Sequence, residues 1–290
     1  MTTDSRMMGW LLGIVLGWGT LSAGGYPTIF ETRSPYNHII VQEDAEGLRY
    51  LLFSENGAHQ SVRRPGQPGS LELPYSRSMM IGLACVQEPR RILVVGLGGG
   101  SIPSFLHLHY PRARIDCAEI DASVIDVAKR FFGFEEDARL RARLADGRKF
   151  IEETASRYDL IFLDAYGDDF IPPALATREF LLAVRRALSP QGIVLGNIWS
   201  RFSNPQYDSM LATYLDVFPQ VYRFEVPAGG NIIFLAIPRS GRLDREDLAR
   251  KATAASDQRN FGFDLGALVR FGFQDARELE LDAPVLADPK

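Results

Sequence analysis

Cysteine is scarce in this 290-residue chain: there are two, Cys85 and Cys117, each inside an apolar run and neither in a CxxC pair. That excludes a disulfide framework and a thiolate metal cluster, and it leaves both thiols as small core hydrophobes. Histidine is nearly as scarce. His38 and His59 fall in one stretch and His107 and His109 in another, without carboxylates at ligand spacing, so no metal is expected. Positive charge is in deficit: 32 Lys and Arg against 36 Asp and Glu give a net charge of −4. No basic stripe offsets it, which removes nucleic acid as an expected partner. Internal repeats and low-complexity tracts are absent. Long uncharged runs are absent too, except from Met7 to Gly24.

That run is just long enough for a short membrane span, and Leu21-Ser22-Ala23 is a tolerable cleavage site. Its flank is weak, because Arg6 is offset by Asp4, and glycines at 9, 13, 17 and 19 weaken a helix. Two readings stay open. One is a signal peptide or anchor that exports the chain or associates it with a membrane; the other is a soluble extension of a cytoplasmic protein.

Beyond it the pattern has two rhythms. NHIIVQ and LRYLLFS, separated by Asp44-Ala45-Glu46-Gly47, read as antiparallel hairpin strands. RRPGQPGS is a loop, and Leu73 to Val86 has helical spacing. After Arg91 short apolar strands alternate with amphipathic helices: RILVV, RIDCAEI, LRARLA, YDLIFLD, GIVLGNI and NIIFLAI are the strands. Such alternation predicts an α/β fold, a mostly parallel twisted sheet with helices on both faces. The chain therefore divides into an apolar extension over 1–25, a β-hairpin module over 26–72, a Rossmann-like nucleoside-binding catalytic domain over 73–240, and a helical tail over 241–290.

Ligands of parallel sheets bind beyond the carboxyl ends of the strands, and the chemistry-bearing residues fall there. Gly96-Leu97-Gly98-Gly99-Gly100-Ser101 follows RILVV directly. Its spacing, GxGxG through Gly96, Gly98 and Gly100, lacks the third glycine of the dinucleotide fingerprint, which would fall at Ser101. It suits a nucleoside without a pyrophosphate. Glu119 ends the second strand, about 20 residues on, where a carboxylate accepts from ribose hydroxyls; Asp121 reads as a helix cap. Asp146-Gly147 ends the third strand, with an acceptor for an adenine amino group, and Asp164 ends the fourth.

The runs RILVVGLGGGSIP, CAEIDASVIDVAKRFF, LADGRKFI and YDLIFLDAY together resemble the polyamine aminopropyltransferases, the spermidine synthase family, which share the class I methyltransferase fold. The similarity extends upstream through SPYNHIIVQED and covers about residues 31 to 237. It implies transfer of an aminopropyl group from decarboxylated S-adenosylmethionine, as co-substrate, to a small-molecule amine. It further implies that Gln60, Glu119, Asp146 and the glycine loop hold the nucleoside. Tyr75 would line the acceptor site, and Asp164 would hold the attacking amine and take its proton. The family often pairs through its N-terminal hairpins, so a homodimer is expected on resemblance alone.

The departures lie on the acceptor side. The family's loop carries an Asp where this chain has Gly99, and its His-Glu or Gln-Glu after the tyrosine is Ser76-Arg77 here. Its second acid is displaced to Asp168 or Asp169, and its late pocket tyrosine is missing near Val226-Pro227-Ala228-Gly229-Gly230. Three accounts remain: an aminopropyltransferase with an altered acceptor; a methyltransferase using S-adenosylmethionine, with Arg77 facing its carboxylate; or a nucleoside-binding module without turnover. Tyr166 is a candidate wall for an ammonium group, and Asn197, ending the fifth strand, a candidate contact. Trp199 and Phe170 are equally candidates for the pocket or the core.

Overall fold

The computed structural model describes residues 26–55, 57–166, 171–227 and 230–289. The run from Met7 to Gly24, and with it any signal or anchor, lies outside the described residues, as do Asp168, Asp169 and Phe170. Among the described residues no helix is long and apolar enough to cross a membrane.

Two sheets form. The first is an antiparallel set in chain order: β1 (Thr28–Arg33), β2 (His38–Glu43), β3 (Arg49–Leu52) and β4 (Ser61–Arg63). Asp44 builds the β2–β3 turn by accepting from the amides of Glu46 and Leu48 at 3.0 and 2.8 Å. Strand side chains alternate between faces. Ile39, Val41, Leu51 and Phe53 therefore pack with Val124, Val127 and Phe132, while Ile40, Tyr50, Leu52 and Val62 form a second cluster. The module is thus docked on the main unit through a dry face.

The main unit runs α1 (Pro74–Met79), a 3₁₀ turn over Met80–Ala84, β5 (Arg91–Val95), α2 (Ser101–His109), β6 (Arg114–Glu119) and α3 (Ala122–Phe131). It continues through β7 (Leu140–Leu144), α4 (Gly147–Glu153), β8 (Tyr158–Leu163), α5 (Arg178–Ala187), β9 (Leu188–Trp199) and α6 (Tyr207–Val217). β10 (Gln220–Glu225), β11 (Asn231–Ile237), α7 (Arg245–Arg259), α8 (Leu265–Gly272) and β12 (Phe273–Asp275) complete it. The sheet order is β12-β10-β11-β9-β8-β5-β6-β7. β9, β8, β5, β6 and β7 pair in parallel, and β11, β10 and β12 add an antiparallel edge.

The sheet is covered on both faces, as the near-continuous apolar strands require. Ile92 and Val94 of β5 join one cluster with Phe105, Leu248, Leu265 and Val269. Leu93 and Val95 join the other with Phe180, Leu181, Met210 and Leu211. Each large apolar side chain so buried contributes about 1.5–3 kcal/mol.

Besides β1 and β4, whose Arg63 falls in the run read as a loop, two strands of the main sheet were not anticipated, β10 and β12. Gln220, Arg223 and Glu225 interrupt the apolar pattern of β10, and β12 is three residues long. Only their pairing, Phe224 opposite Ile233 and opposite Phe273, makes them strands. The chain turns from β5 toward β6 and β7 on one side and β8 and β9 on the other. The switch between β5 and β8 opens a crevice at their carboxyl ends.

Candidate active site

A cavity of about 400 Å³ occupies that crevice, roofed by residues 58–61 of the β3–β4 connection. Gly96 shows why the loop needs glycine. Its φ is +93°, and a Cβ there would lie 2.3 Å from the carbonyl oxygen of Asp164. The ends of β5 and β8 therefore approach with no side chain between them.

The residues expected to hold a nucleoside, Gln60, Gly96, Gly98, Glu119, Asp146 and Gly147, all line the cavity wall. Glu119 is buried and accepts from the Leu97 amide at 2.9 Å and the Asp121 amide at 3.0 Å, which ties the glycine loop to the end of β6. Burial pushes its carboxyl above the usual range, opposed by hydrogen bonds from Asp121, Leu97 and Ile120. Asp146 caps α4, accepting from the Lys149 amide at 3.0 Å. At Gly147 a Cβ would meet Val95 Cγ1 at 2.4 Å. Gly100 is not on the wall. It is the left-handed residue before α2, and Phe134 packs where its side chain would go. Asp121 caps α3 through the Ser123 amide at 2.9 Å and also accepts from Ser34 and Asn37 of the hairpin module.

The other end centres on Asp164, which is partly buried and lines the cavity. Its Oδ1 accepts from Asn197 Nδ2 at 2.9 Å and its Oδ2 from the Tyr75 hydroxyl at 3.3 Å. Desolvation pushes its carboxyl up to about 7, against the pull of the Asn197 and Tyr75 hydrogen bonds. Burial and the neighbouring Asp164 raise the Tyr75 phenol well above its usual range, so it stays a donor. Asn231 donates to Asn197 Oδ1 at 2.9 Å, which fixes the amide so that its nitrogen faces Asp164. Tyr166 donates to the Asn197 carbonyl at 2.6 Å and stacks on Trp199, with ring centroids 5.4 Å apart. A carboxyl poised near neutrality on a cavity floor can accept a proton from a bound nucleophile. Among the described residues no group of acids, histidines and cysteines could hold a metal ion.

Besides Gly100, one more expected residue lies elsewhere. Arg77 is not in the cavity: its guanidinium donates to the Leu71 carbonyl and lies 6.0 Å from the Phe263 ring centroid. α1 turns this position toward α8, on the side away from Tyr75. Gly99 is not open space either. A Cβ there would lie 2.9 Å from Phe132 and 3.0 Å from Ser61. Asn231 and His59 were missed; both line the cavity. The only signal for Asn231 was a polar residue opening an apolar strand. His59 stood beside Gln60 and was weighed only as a metal ligand. Ser61, which lines the cavity beside the glycine loop, and Arg63, behind that loop, carried no signal at all.

Residues 72–227, more than half the chain, match the spermine/spermidine synthase domain. The chain belongs to that family. It is 35% identical over 223 residues to a polyamine aminopropyltransferase of Vibrio vulnificus, covering 74% of each chain. It is 33% identical over 254 residues to the human eEF1A lysine and N-terminal methyltransferase, covering 75% of this chain but only 36% of that larger protein. The structure of a probable spermidine synthase from Corynebacterium glutamicum superposes with a TM-score of 0.73 at 22% identity, over 92% of this chain and 98% of that one. That last likeness establishes the fold. It is the Rossmann-like arrangement of the synthases with an N-terminal antiparallel sheet.

Proposed function

We propose that this member of the spermine/spermidine synthase family transfers an aminopropyl group from decarboxylated S-adenosylmethionine to an amine acceptor. The observation that carries the reading is Asp164, held between Tyr75 and Asn197 at the end of a cavity whose other end is a nucleoside cradle. The residues fit the donor. Glycines at 96 and 147 leave no space filled by a Cβ, while Glu119 and Asp146 offer acceptors to ribose and adenine. The donor supplies a carbon attached to a sulfonium, a good leaving group.

The protein's part is positioning and proton management. Asp164 accepts a hydrogen bond from the acceptor amine, aims its lone pair at that carbon and takes the proton the amine loses as the new C–N bond forms and the C–S bond breaks. Tyr75 and Asn197 hold the carboxylate, and Tyr166 and Trp199 offer aromatic faces to the rest of the amine. Asp168, by its place in the sequence, is the candidate second acid for a distal ammonium group. The polyamine aminopropyltransferase relative supports this reading.

Methyl transfer from S-adenosylmethionine is the second reading. Gly99 favours it, because Phe132 and Ser61 fill the space that an acid would need at this position. The methyltransferase relative points the same way. Calorimetry with S-adenosylmethionine, its decarboxylated form and methylthioadenosine separates the two; preference for the carboxylated donor replaces the first reading with the second. Asp164→Asn should abolish transfer and spare nucleoside binding, and full activity in that variant would remove Asp164 from its role.

The run from Met7 to Gly24 is proposed as a signal or anchor, checked by the mass of the mature N-terminus. Pairing through the hairpin module is checked by light scattering.

A further inference from the structure

Arg63 is the largest fully buried side chain among the described residues, 1% exposed. Its guanidinium has no carboxylate partner among the described residues. A buried, unpaired cation is costly unless its donors are used. Here one terminal nitrogen donates to Ser104 Oγ at 3.0 Å, to the Gly100 carbonyl at 3.2 Å and to the Gly99 carbonyl at 3.3 Å, the other reaches the Gly133 carbonyl at 3.5 Å, and Nε has no partner. Two strand positions earlier, Ser61 Oγ accepts from the Gly99 amide at 3.0 Å. Both backbone groups of Gly99 are therefore held by β4, a strand of the other sheet. α2 has no side-chain cap of its own at Gly100. Phe132 and Phe134 press on the loop from the side where Gly99 and Gly100 would carry Cβ atoms. The loop is thus gripped from behind while Gly96, Leu97 and Gly98 face the cavity.

We infer that Arg63, with Ser61, is a positioning residue for the donor site: it fixes the carbonyls of Gly99 and Gly100 so that the cavity face of the glycine loop is preformed for the adenosyl co-substrate. The inference rests on the nucleoside-binding reading above. Desolvation lowers the Arg63 guanidinium only to about 10, with nearby Glu135 opposing the fall, so the clamp stays charged at neutral pH. A preformed loop lowers the cost of ordering on binding, so its loss appears in donor affinity and KM before it appears in kcat.

The test compares wild type, Arg63→Met and Arg63→Ala as full-length proteins, with methylthioadenosine as the calorimetric probe. Arg63→Met keeps the packing volume and removes every donor. Its affinity should fall roughly tenfold to a hundredfold, the scale of losing charge-assisted hydrogen bonds, with donor KM rising by a similar factor and kcat changing less. In Arg63→Ala, guanidinium ion at tens of millimolar should restore affinity, whereas urea at the same concentration should not. The thermal shift caused by the nucleoside should shrink in Arg63→Met beyond any fall in the melting temperature of the free protein. A purely structural arginine would lower both melting temperatures equally and leave KM unchanged, which overturns the inference. If Arg63→Met fails to fold, the guanidinium rescue of Arg63→Ala decides, and absence of rescue overturns it. A wild type that binds no adenosyl compound overturns the functional reading and this inference together. A wild type that binds, with Arg63→Met binding equally well, overturns this inference alone.

Discussion

In the proposed reaction Asp164 carries a proton in one step and loses it in another, and its surroundings suit that. Desolvation raises its carboxyl from 3.8 to about 7, and the two hydrogen bonds from Asn197 and Tyr75 keep it from going higher. Because the base must be ionised to act, kcat/KM at saturating donor should rise with pH through about 7. Asn197→Leu removes one of the bonds that favours the charged form, so that limb should move to higher pH; an unmoved limb would mean that another group is titrating. The same shift has a stability consequence. A carboxyl whose folded value is raised contributes stability below about 4 that is lost as pH rises through about 7. Asp164→Asn should accordingly raise the melting temperature relative to wild type at pH 8 and change it little at pH 4. Asn231 belongs to the same chain of donors, and nothing in its sequence context marks it except its place at the start of a strand.

Among the elements, the most consequential one without secondary structure is the last. The extended segment after residue 278 returns along α5 and α6. The Arg178 amide donates to the Leu286 carbonyl, Leu286 donates to Thr213, and Asp288 donates to Glu179. It ends on Arg148, which pairs with both oxygens of Asp288 at 2.7 and 2.5 Å and also donates to the Ala174 carbonyl at 3.1 Å. Arg148 and Ala174 both line the cavity, so this segment braces, from outside, the end proposed to hold the nucleoside. Asp288→Ala should raise donor KM about two- to fivefold, the scale of one partly exposed ion pair, and leave kcat alone. Equal donor KM in the two proteins would reduce the contact to surface decoration. α3 and α4 are by contrast where their sequences placed them, with Asp121 and Asp146 at the caps where the strand ends turn into helices.

At the scale of the whole molecule, the two sheets act as one device. Phe132 is buried between them, packing with Ile39, Val41 and Leu51 of the hairpin module while its ring fills the space beside Gly99. Phe132→Ala should cost about 3–5 kcal/mol in a denaturant titration and should weaken nucleoside binding at the same time, because the module that carries Ser61 and Arg63 loses its seat. A variant that is destabilised but binds the nucleoside with unchanged affinity would show that the docking does not reach the loop.

The βαβ rhythm, the five parallel strands and the glycine loop with Glu119, Asp146 and Asp164 at successive strand ends were legible in the sequence by itself, because these are local patterns. Strand runs alternate with helical spacing, and a ligand-facing residue on a parallel strand can sit only at its carboxyl end. The antiparallel strands β10 and β12 were not legible, since interrupted or very short runs become strands only by pairing. Nor was the direction of single side chains. Arg77 reads as a pocket cation two residues from Tyr75, yet α1 turns it toward Leu71 and Phe263. Arg63, in the loop-like run RRPGQPGS, becomes the buried clamp because the docking of one sheet on the other buries it among four oxygens. Which residues lie at strand ends is a property of the chain. Which cation meets the glycine loop depends on contacts between segments some 40 residues apart, and only the packed tertiary structure decides that.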